Sequence, residues 1–298
     1  MKDSGQAMPD IQYPKISIVT PNFNGGRFLE QTILSVIEQN YPNLEYILID
    51  GGSSDNSLAV IEKYSKYFAY WESNSDNGVY HALQKGFNKS SGNIMGWINS
   101  DDILCYNSLF SVAEIFSANP KTNWIQGYPM VIDDDNRLVY QRPPVFSKFF
   151  FYLKNYRDGH FIQQESTFWT RSLWDQAGGV ISQEYKFAGD FELWIRFFNH
   201  SDMYLTSAVL GAFRTRKDGQ LSSQNYKQYV AECDEIIERN MDCLTKQELK
   251  YLNKMKFMRR INRYLPRFIA FPGMRKKISE LGVEAPQINF NFDSYTFK

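Results

Sequence analysis

Residues 15–57 read KISIVTPNFNGGRFLEQTILSVIEQNYPNLEYILIDGGSSDNS. The opening Lys15-Ile16-Ser17-Ile18-Val19-Thr20 has the β-branched content of a strand, and Pro21-Asn22 ends it. Phe28, Ile33, Val36 and Ile37 then recur at helical spacing. Residues 44–49 form a second apolar run, ended by Asp50-Gly51-Gly52-Ser53-Ser54-Asp55. Leu58, Ile61 and Tyr64 mark another helix, 68–72 a short strand, 77–88 a helix and 93–98 a fourth strand. Strand and helix alternate, which predicts an α/β fold: a Rossmann-like, mainly parallel sheet flanked by helices. In such sheets ligands bind beyond the carboxyl ends of the strands. The polar clusters at 20–24, 50–55 and 99–102 all fall at that edge.

The pattern changes after Asn119-Pro120. Residues 130–132 and 138–140 flank Asp133-Asp134-Asp135-Asn136-Arg137, which reads as a hairpin because Asx residues are turn formers. Residues 166–170 read as a strand, 189–199 as a helix and 203–213 as a further strand or pair. From 222 onward the chain reads as mostly helical. The domain expectation is a polar N-terminal tail (1–14), a catalytic domain (15–222, with halves 15–120 and 121–222) and a helical, basic extension (223–298).

The chain has 298 residues and no formal net charge. The balance hides an asymmetry: residues 246–280 contain eleven basic and two acidic residues. Within that segment Leu249, Leu252, Met255, Met258, Ile261 and Leu265 fall on one helical stripe. A basic amphipathic helix suits an anionic membrane surface over 246–277, or it packs its stripe on the catalytic domain or a second subunit. No recognition motif accompanies the charge, so nucleic acid is not expected as a partner. Three cysteines lack metal-site spacing and are too few for a disulfide framework. The N-terminus lacks the apolar core of a signal peptide. A cytoplasmic protein, peripheral at most on the inner face of the plasma membrane, is the expectation.

Asn99-Ser100-Asp101-Asp102 ends the fourth strand. Adjacent carboxylates at the mouth of an apolar strand point to a divalent cation, which takes hard oxygen ligands; otherwise one of them caps the next helix. In 50–55 the glycines open space for a ligand or simply make a turn, with Ser54 or Asp55 as cap. Asn77, His81 and Lys85 share one helical face. Asp190 opens a later helix, as a cap or as a chemical group.

Six stretches in order resemble the family 2 glycosyltransferases of GT-A fold: the 17–57 run, SDNGVYHALQKGF, GNIMGWINSDD, QQESTFWTRSLWDQAGG, AGDFELWIRF and FRTRKDGQLS. The resemblance implies inverting transfer of a sugar from a nucleotide-sugar, a UDP-sugar, with Mg²⁺ or Mn²⁺, to a hydroxyl of a glycan or lipid-linked glycan in bacterial surface polysaccharide assembly. It implies that Asp101 is the metal-binding acid of the D-x-D element and that Asp102 supports it. Asn99 stands where a ribose-binding Asp is common. Thr20, Pro21, Asn22, Asn24, Asp50, Asp55 and Ser100 fall in the nucleotide-sugar site, and Asp76 and Lys85 on the helix that holds nucleotide and phosphates. Many members carry a second acid where this chain has Gly51. Asp190 matches the catalytic base. Arg216 stands where relatives carry a histidine; being permanently protonated it cannot bind a metal, but it can clamp a diphosphate. Gln163, Gln164, Trp169, Glu192 and Trp194 match the acceptor region. Two alternatives remain: a sugar-phosphate nucleotidyltransferase, whose phosphate loop 21–27 poorly supplies, and a noncatalytic glycan-binding protein on the same fold.

Overall fold

The computed structural model describes residues 13–141, 146–216, 225–264, 285–294 and 296–298. The N-terminal residues up to 12, the breaks at Pro266 and Pro272-Gly273, and Leu265 with the basic residues at 265–284 lie outside the described residues. Strands β1 (Ile16–Asn22), β2 (Leu44–Asp50) and β3 (Tyr70–Ser73) alternate with α1 (Leu29–Ile37), α2 (Ser57–Tyr64) and α3 (Val79–Lys89), and β4 (Ile94–Trp97) follows. β1 pairs in parallel with β2 and β4, and β2 with β3. All seven residues of β1 are buried, as expected for a central parallel strand covered on both faces.

Next come β5 (Ile103–Leu104), α4 (Ser108–Ala118), β6 (Trp124–Gln126), β7 (Met130–Ile132), β8 (Leu138–Gln141) and α5 (Lys148–Tyr152). β9 (Thr167–Thr170), α6 (Arg171–Gln176), α7 (Gly189–Phe198), β10 (Tyr204–Thr206) and β11 (Gly211–Arg214) follow. The main sheet has the order β12-β10-β6-β9-β4-β1-β2-β3, where β12 is Gln287–Ile288. Among these strands only β9 runs against its neighbours. A second sheet, β5-β11-β7-β8, carries the expected hairpin. Its turn is made by Asp133, whose carboxylate accepts the backbone N–H groups of Asp135 and Arg137 at 2.9 Å each.

The C-terminal region departs from the mostly helical expectation at its end. α8 (Tyr226–Arg239) and α9 (Lys246–Tyr264) are helices, but β12 joins the main sheet and β13 (Phe290–Asn291) pairs with β14 (Thr296–Phe297). The apolar stripe of α9 turns inward over its first half, while Ile261 is 38% exposed. Leu252 and Met255 are buried in the core that holds Trp194 and Phe198, and Leu249 packs against it. Lys148 ties α5 to α9 through Glu248 at 2.7 Å.

Aromatic residues fill this core. Trp194 stacks between Trp97 (5.4 Å, 6°) and Trp124 (5.8 Å, 21°), and Trp169 meets Trp97 and Trp194 edge-on. Offset stacking and edge contacts are the favoured arrangements of ring quadrupoles. Trp169 and Trp194 are at most 1% exposed, so neither ring presents a surface to an acceptor as expected; both belong to the core.

Candidate active site

The carboxyl ends of β1, β2 and β3 are joined by one polar network around Asp50. Asn22 Nδ2 donates to Asp50 Oδ1 (2.7 Å), Ser53 donates from its hydroxyl (2.5 Å) and backbone (2.9 Å), and Ser73 Oγ donates at 2.6 Å. Burial pushes the Asp50 carboxyl up, but the hydrogen bonds from Ser53, Ser73 and Asn22 outweigh it and hold the pKa below the usual range. Asn24 continues the network: its N–H donates to Ser53 Oγ (2.7 Å) and its Oδ1 accepts from Ser54 N–H (2.9 Å). Thr20 is buried and bonded to the Tyr46 hydroxyl at 3.1 Å, and Pro21 pairs in register with Ile49. Both support the strand ends from beneath. Asp55 is a turn acid, accepting from Gly26 and Ser57 N–H at 2.9 Å each.

Two glycines set how closely these loops meet. A Cβ on Gly25 would lie 2.3 Å from Asn22 Oδ1 and 2.6 Å from Ser100 Oγ, so glycine lets Ser100 reach the β1 loop. A Cβ on Gly51 would lie 3.0 Å from an Asp76 carboxylate oxygen. The Asp76 carboxylate therefore stands where a side chain at 51 would project. It also accepts from Gly78 N–H (2.8 Å), which leads into α3.

Asp101 and Asp102 are neighbours in sequence but not in role. Asp101 is partly exposed and forms an ion pair with Arg216 Nε at 3.2 Å. Burial raises its pKa, opposed by the Arg216 and Arg214 guanidiniums. Asp102 is fully buried. It accepts from Arg214 N–H (2.8 Å), Gln164 Nε2 (3.1 Å) and Asn99 Nδ2 (3.4 Å). Burial, with Asp101 and Glu165 nearby, pushes its carboxyl well above the usual range. Asp102 therefore does not cap α4; its carboxylate is turned into the protein, where it locks β11 to the 99–102 loop. Arg214, unassigned in the sequence reading, is the hub of this region. Its Nε donates to Asp101 O (2.7 Å), Nη1 to Asp133 O (2.9 Å) and Nη2 to Gln31 Oε1 (3.0 Å), with its guanidinium 4.5 Å over Phe28.

Among the described residues no group of three or more His, Cys, Asp or Glu could hold a metal ion. The donor set is one partly exposed carboxylate, Asp101. That fits a Mg²⁺ or Mn²⁺ taking most of its oxygens from diphosphate and water, not a cation caged by protein.

Glu165 was also missed. It is fully buried, and neither carboxyl oxygen has a hydrogen-bond partner among the described residues. Burial, with Asp101 adding to it, pushes its pKa to about 8. Nothing in the local pattern of QQES marks this; Gly211 of β11 packs against Glu165, a Cβ there lying 3.0 Å from Glu165 Cγ.

Asp190 sits in the first turn of α7 and stays partly exposed. Tyr80 Oη, from α3, lies 3.2 Å from Asp190 Oδ1 and donates to Phe187 O at 2.8 Å. Burial raises the Asp190 pKa to about 6, partly offset by hydrogen bonds from Phe191 N–H and Tyr80. Asp190 makes no ion pair among the described residues. Gly189 allows the approach: a Cβ there would lie 2.8 Å from the Tyr80 ring and 2.9 Å from Ser182 O. Gly189→Ala is expected to lower unfolding free energy by about 1–3 kcal/mol through overpacking. Denaturant melts check this, with Tyr80→Leu recovering part of the loss when combined with Gly189→Ala.

Three expected ligand residues are engaged elsewhere. Lys85 pairs with Glu72 at 2.7 Å, across α3 and β3. Glu192 holds Arg196 through two bonds of 2.7 and 2.8 Å, one helical turn away. Gln164 donates its Nε2 to Asp102 Oδ2 (3.1 Å), while the backbone carbonyl of Gln163 accepts from Thr167 Oγ1 (2.9 Å) in the turn before β9. His81 Nδ1 accepts from Asn77 N–H (3.2 Å), closing the first turn of α3.

The profile of the family described as Glycosyl transferase family 2 matches residues 17–175. An uncharacterized glycosyltransferase of Rickettsia prowazekii is 24% identical over 243 residues, covering 80% of this chain and 76% of the relative. TuaG of Bacillus subtilis, provisionally named a teichuronic acid biosynthesis glycosyltransferase, is 27% identical over 130 residues, 42% of this chain and 51% of its own length. Among solved structures, S. aureus TarS superposes with a TM-score of 0.62 at 14% identity, covering 86% of this chain but 45% of TarS. Its 1–349 fragment in complex with UDP-GlcNAc gives 0.58 at 14% identity, with 85% and 82% covered. These two likenesses concern the fold. Because the family profile spans more than half of the sequence, the chain belongs to glycosyl transferase family 2, and it is a glycosyltransferase.

Proposed function

We propose that the protein transfers a sugar from a UDP-sugar to a hydroxyl of a glycan or lipid-linked glycan, with inversion and with Mg²⁺ or Mn²⁺. The observation that carries this is the contrast between two carboxylates. Asp101 is paired with Arg216 at the strand edge, whereas Asp190 makes no ion pair among the described residues and its pKa is raised to about 6. An acid tuned toward neutral pH suits a general base. Asp190 takes the acceptor proton as the hydroxyl oxygen bonds to the anomeric carbon and the bond to the diphosphate breaks on the opposite face. Arg216 holds the departing diphosphate by charge-assisted hydrogen bonds. Asp101 would hold a Mg²⁺ or Mn²⁺ ion, which would supply Lewis-acid stabilisation of the same charge. The Asn22–Asp50–Ser53 network and Asp76 hold the nucleoside, with Asp76 supplying the acid that Gly51 lacks. The UDP-GlcNAc in TarS and the surface-polymer name of TuaG support a UDP-sugar donor and a bacterial surface polysaccharide.

Thermal shift with UDP-glucose, UDP-galactose, UDP-GlcNAc and UDP-glucuronate, with and without Mn²⁺, tests the donor. One of them should raise the melting temperature, and Mn²⁺ should add to the rise. Arg216→Ala should weaken that donor about 10-fold or more, the value of one charge-assisted contact. Unchanged affinity and UDP release in Arg216→Ala would remove Arg216 from the site.

No helix among the described residues is long and apolar enough to cross a membrane. The outward stripe of α9 carries Lys246, Lys250 and Lys254 beside Phe257 (62% exposed) and Ile261 (38%). Lysines interleaved with an exposed aromatic ring suit an anionic lipid surface. Cosedimentation with phosphatidylglycerol vesicles should fall several-fold in Lys250→Glu/Lys254→Glu/Phe257→Ser. Equal binding by the variant, or binding to neutral vesicles alone, would exclude this face.

A further inference from the structure

Glu232 lies on α8, outside residues 17–175 matched by the family profile. Its carboxylate accepts from three consecutive backbone N–H groups: Lys186 (3.2 Å), Phe187 (2.9 Å) and Ala188 (2.8 Å). These three residues lead directly into Gly189 and Asp190. Ala188 is the residue before α7 and is buried, and it has no side chain to cap the helix. Glu232 thus takes the backbone donors of the segment just before α7, and an unmet buried N–H costs about 1–3 kcal/mol. α8 is itself anchored, because Cys233, Ile236 and Ile237 are buried in the core shared with α7.

The opposite side of the segment is held by Tyr80, which donates to Phe187 O. Residues 186–190 are thus clamped between α3 and α8. We propose that Glu232 is a positioning residue for sugar transfer, its carboxylate fixing the 186–188 backbone that aims Asp190 at the acceptor hydroxyl. This rests on the reading of Asp190 as general base. It also brings residues placed in a C-terminal extension into the catalytic machinery.

The charge of Glu232 has a second effect. Around Asp190 stand Tyr80 from α3 and Tyr229, Glu232 and Cys233 from α8. Glu232 is the carboxylate among these groups that raises Asp190, like charge opposing like charge. Neutralising it lowers the Asp190 pKa, so the acid limb of the rate profile moves to lower pH.

The test compares Glu232→Ala, Glu232→Gln and Asp190→Asn. The readouts are UDP release from the donor chosen by thermal shift, UDP affinity, the pH profile of kcat/KM and amide exchange at 186–188. Glu232→Ala should lower kcat about 10- to 100-fold, the scale of a misplaced catalytic group, with UDP affinity within about twofold and faster exchange at 186–188. Glu232→Gln should lose less and shift the acid limb downward. If Glu232→Ala does not fold, the isosteric Gln variant decides through its profile and exchange. Wild-type kcat, profile and exchange in the Gln variant, beside an inactive Asp190→Asn, would overturn the positioning role. An active Asp190→Asn would instead overturn the base assignment on which it rests.

Discussion

Asp190→Asn should lower kcat about 10²–10⁴-fold, the range expected for losing a general base, while changing UDP affinity less than twofold. The amide keeps the size of the side chain and can still accept from Tyr80, so the fold around α7 is retained. It cannot take a proton at neutral pH. The wild-type profile should show the same group. Asp190 titrates near pH 6, so kcat/KM should fall as pH drops below about 6, where the base is protonated. Asp190→Asn should lose that limb together with the activity. A profile flat from pH 5 to 8 in the wild type would place the base elsewhere.

Glu165→Gln should stabilise the protein, and more so at pH 8 than at pH 5. A buried carboxyl with no hydrogen-bond donor is favoured as the neutral acid. Its pKa of about 8 lies above the ordinary glutamate value of 4.5. The folded state therefore holds its proton more tightly than the unfolded chain does. That contribution to stability is fully present below pH 4.5 and is lost as pH rises toward 8. Glutamine matches the shape and never titrates. The difference in unfolding free energy between variant and wild type should grow across this window to a few kcal/mol, at about 1.4 kcal/mol per pKa unit. Denaturant melts at pH 5, 6.5 and 8 measure it. A difference independent of pH would mean that Glu165 has a cationic partner.

The strand order β1 to β4 was legible because β-branched runs of the right length end in polar clusters, a pattern that depends only on local chemistry. The Asp133 turn was legible for the same reason. Side-chain allegiance was not. Lys85 meets Glu72 and Glu192 meets Arg196, and a motif match cannot tell a charge aimed at a ligand from one already paired. Trp169 and Trp194 looked like acceptor contacts because an aromatic residue in a motif reads the same beside a site as within the core. Asp102 and Glu165 are buried by strands brought from far along the chain, and no local pattern records that enclosure. The amphipathy of α9 was visible, but which face turned inward depended on the core it joins. Strands β12 to β14 have two residues each, too few for any periodicity to show.

β12 has a consequence for how the protein is made. Its partner β10 would otherwise be the rim of the main sheet, with a row of unpaired backbone donors and acceptors. About eighty residues are synthesised between the two strands, so on the ribosome β10 remains open to foreign strands until Gln287-Ile288 emerges. Phe297 then docks behind it in the core beside α4, and Asn119 Nδ2 lies 3.4 Å from its carbonyl. Chains halted before residue 287 should therefore fail by intermolecular strand pairing and aggregation, even though every residue assigned to chemistry is already present.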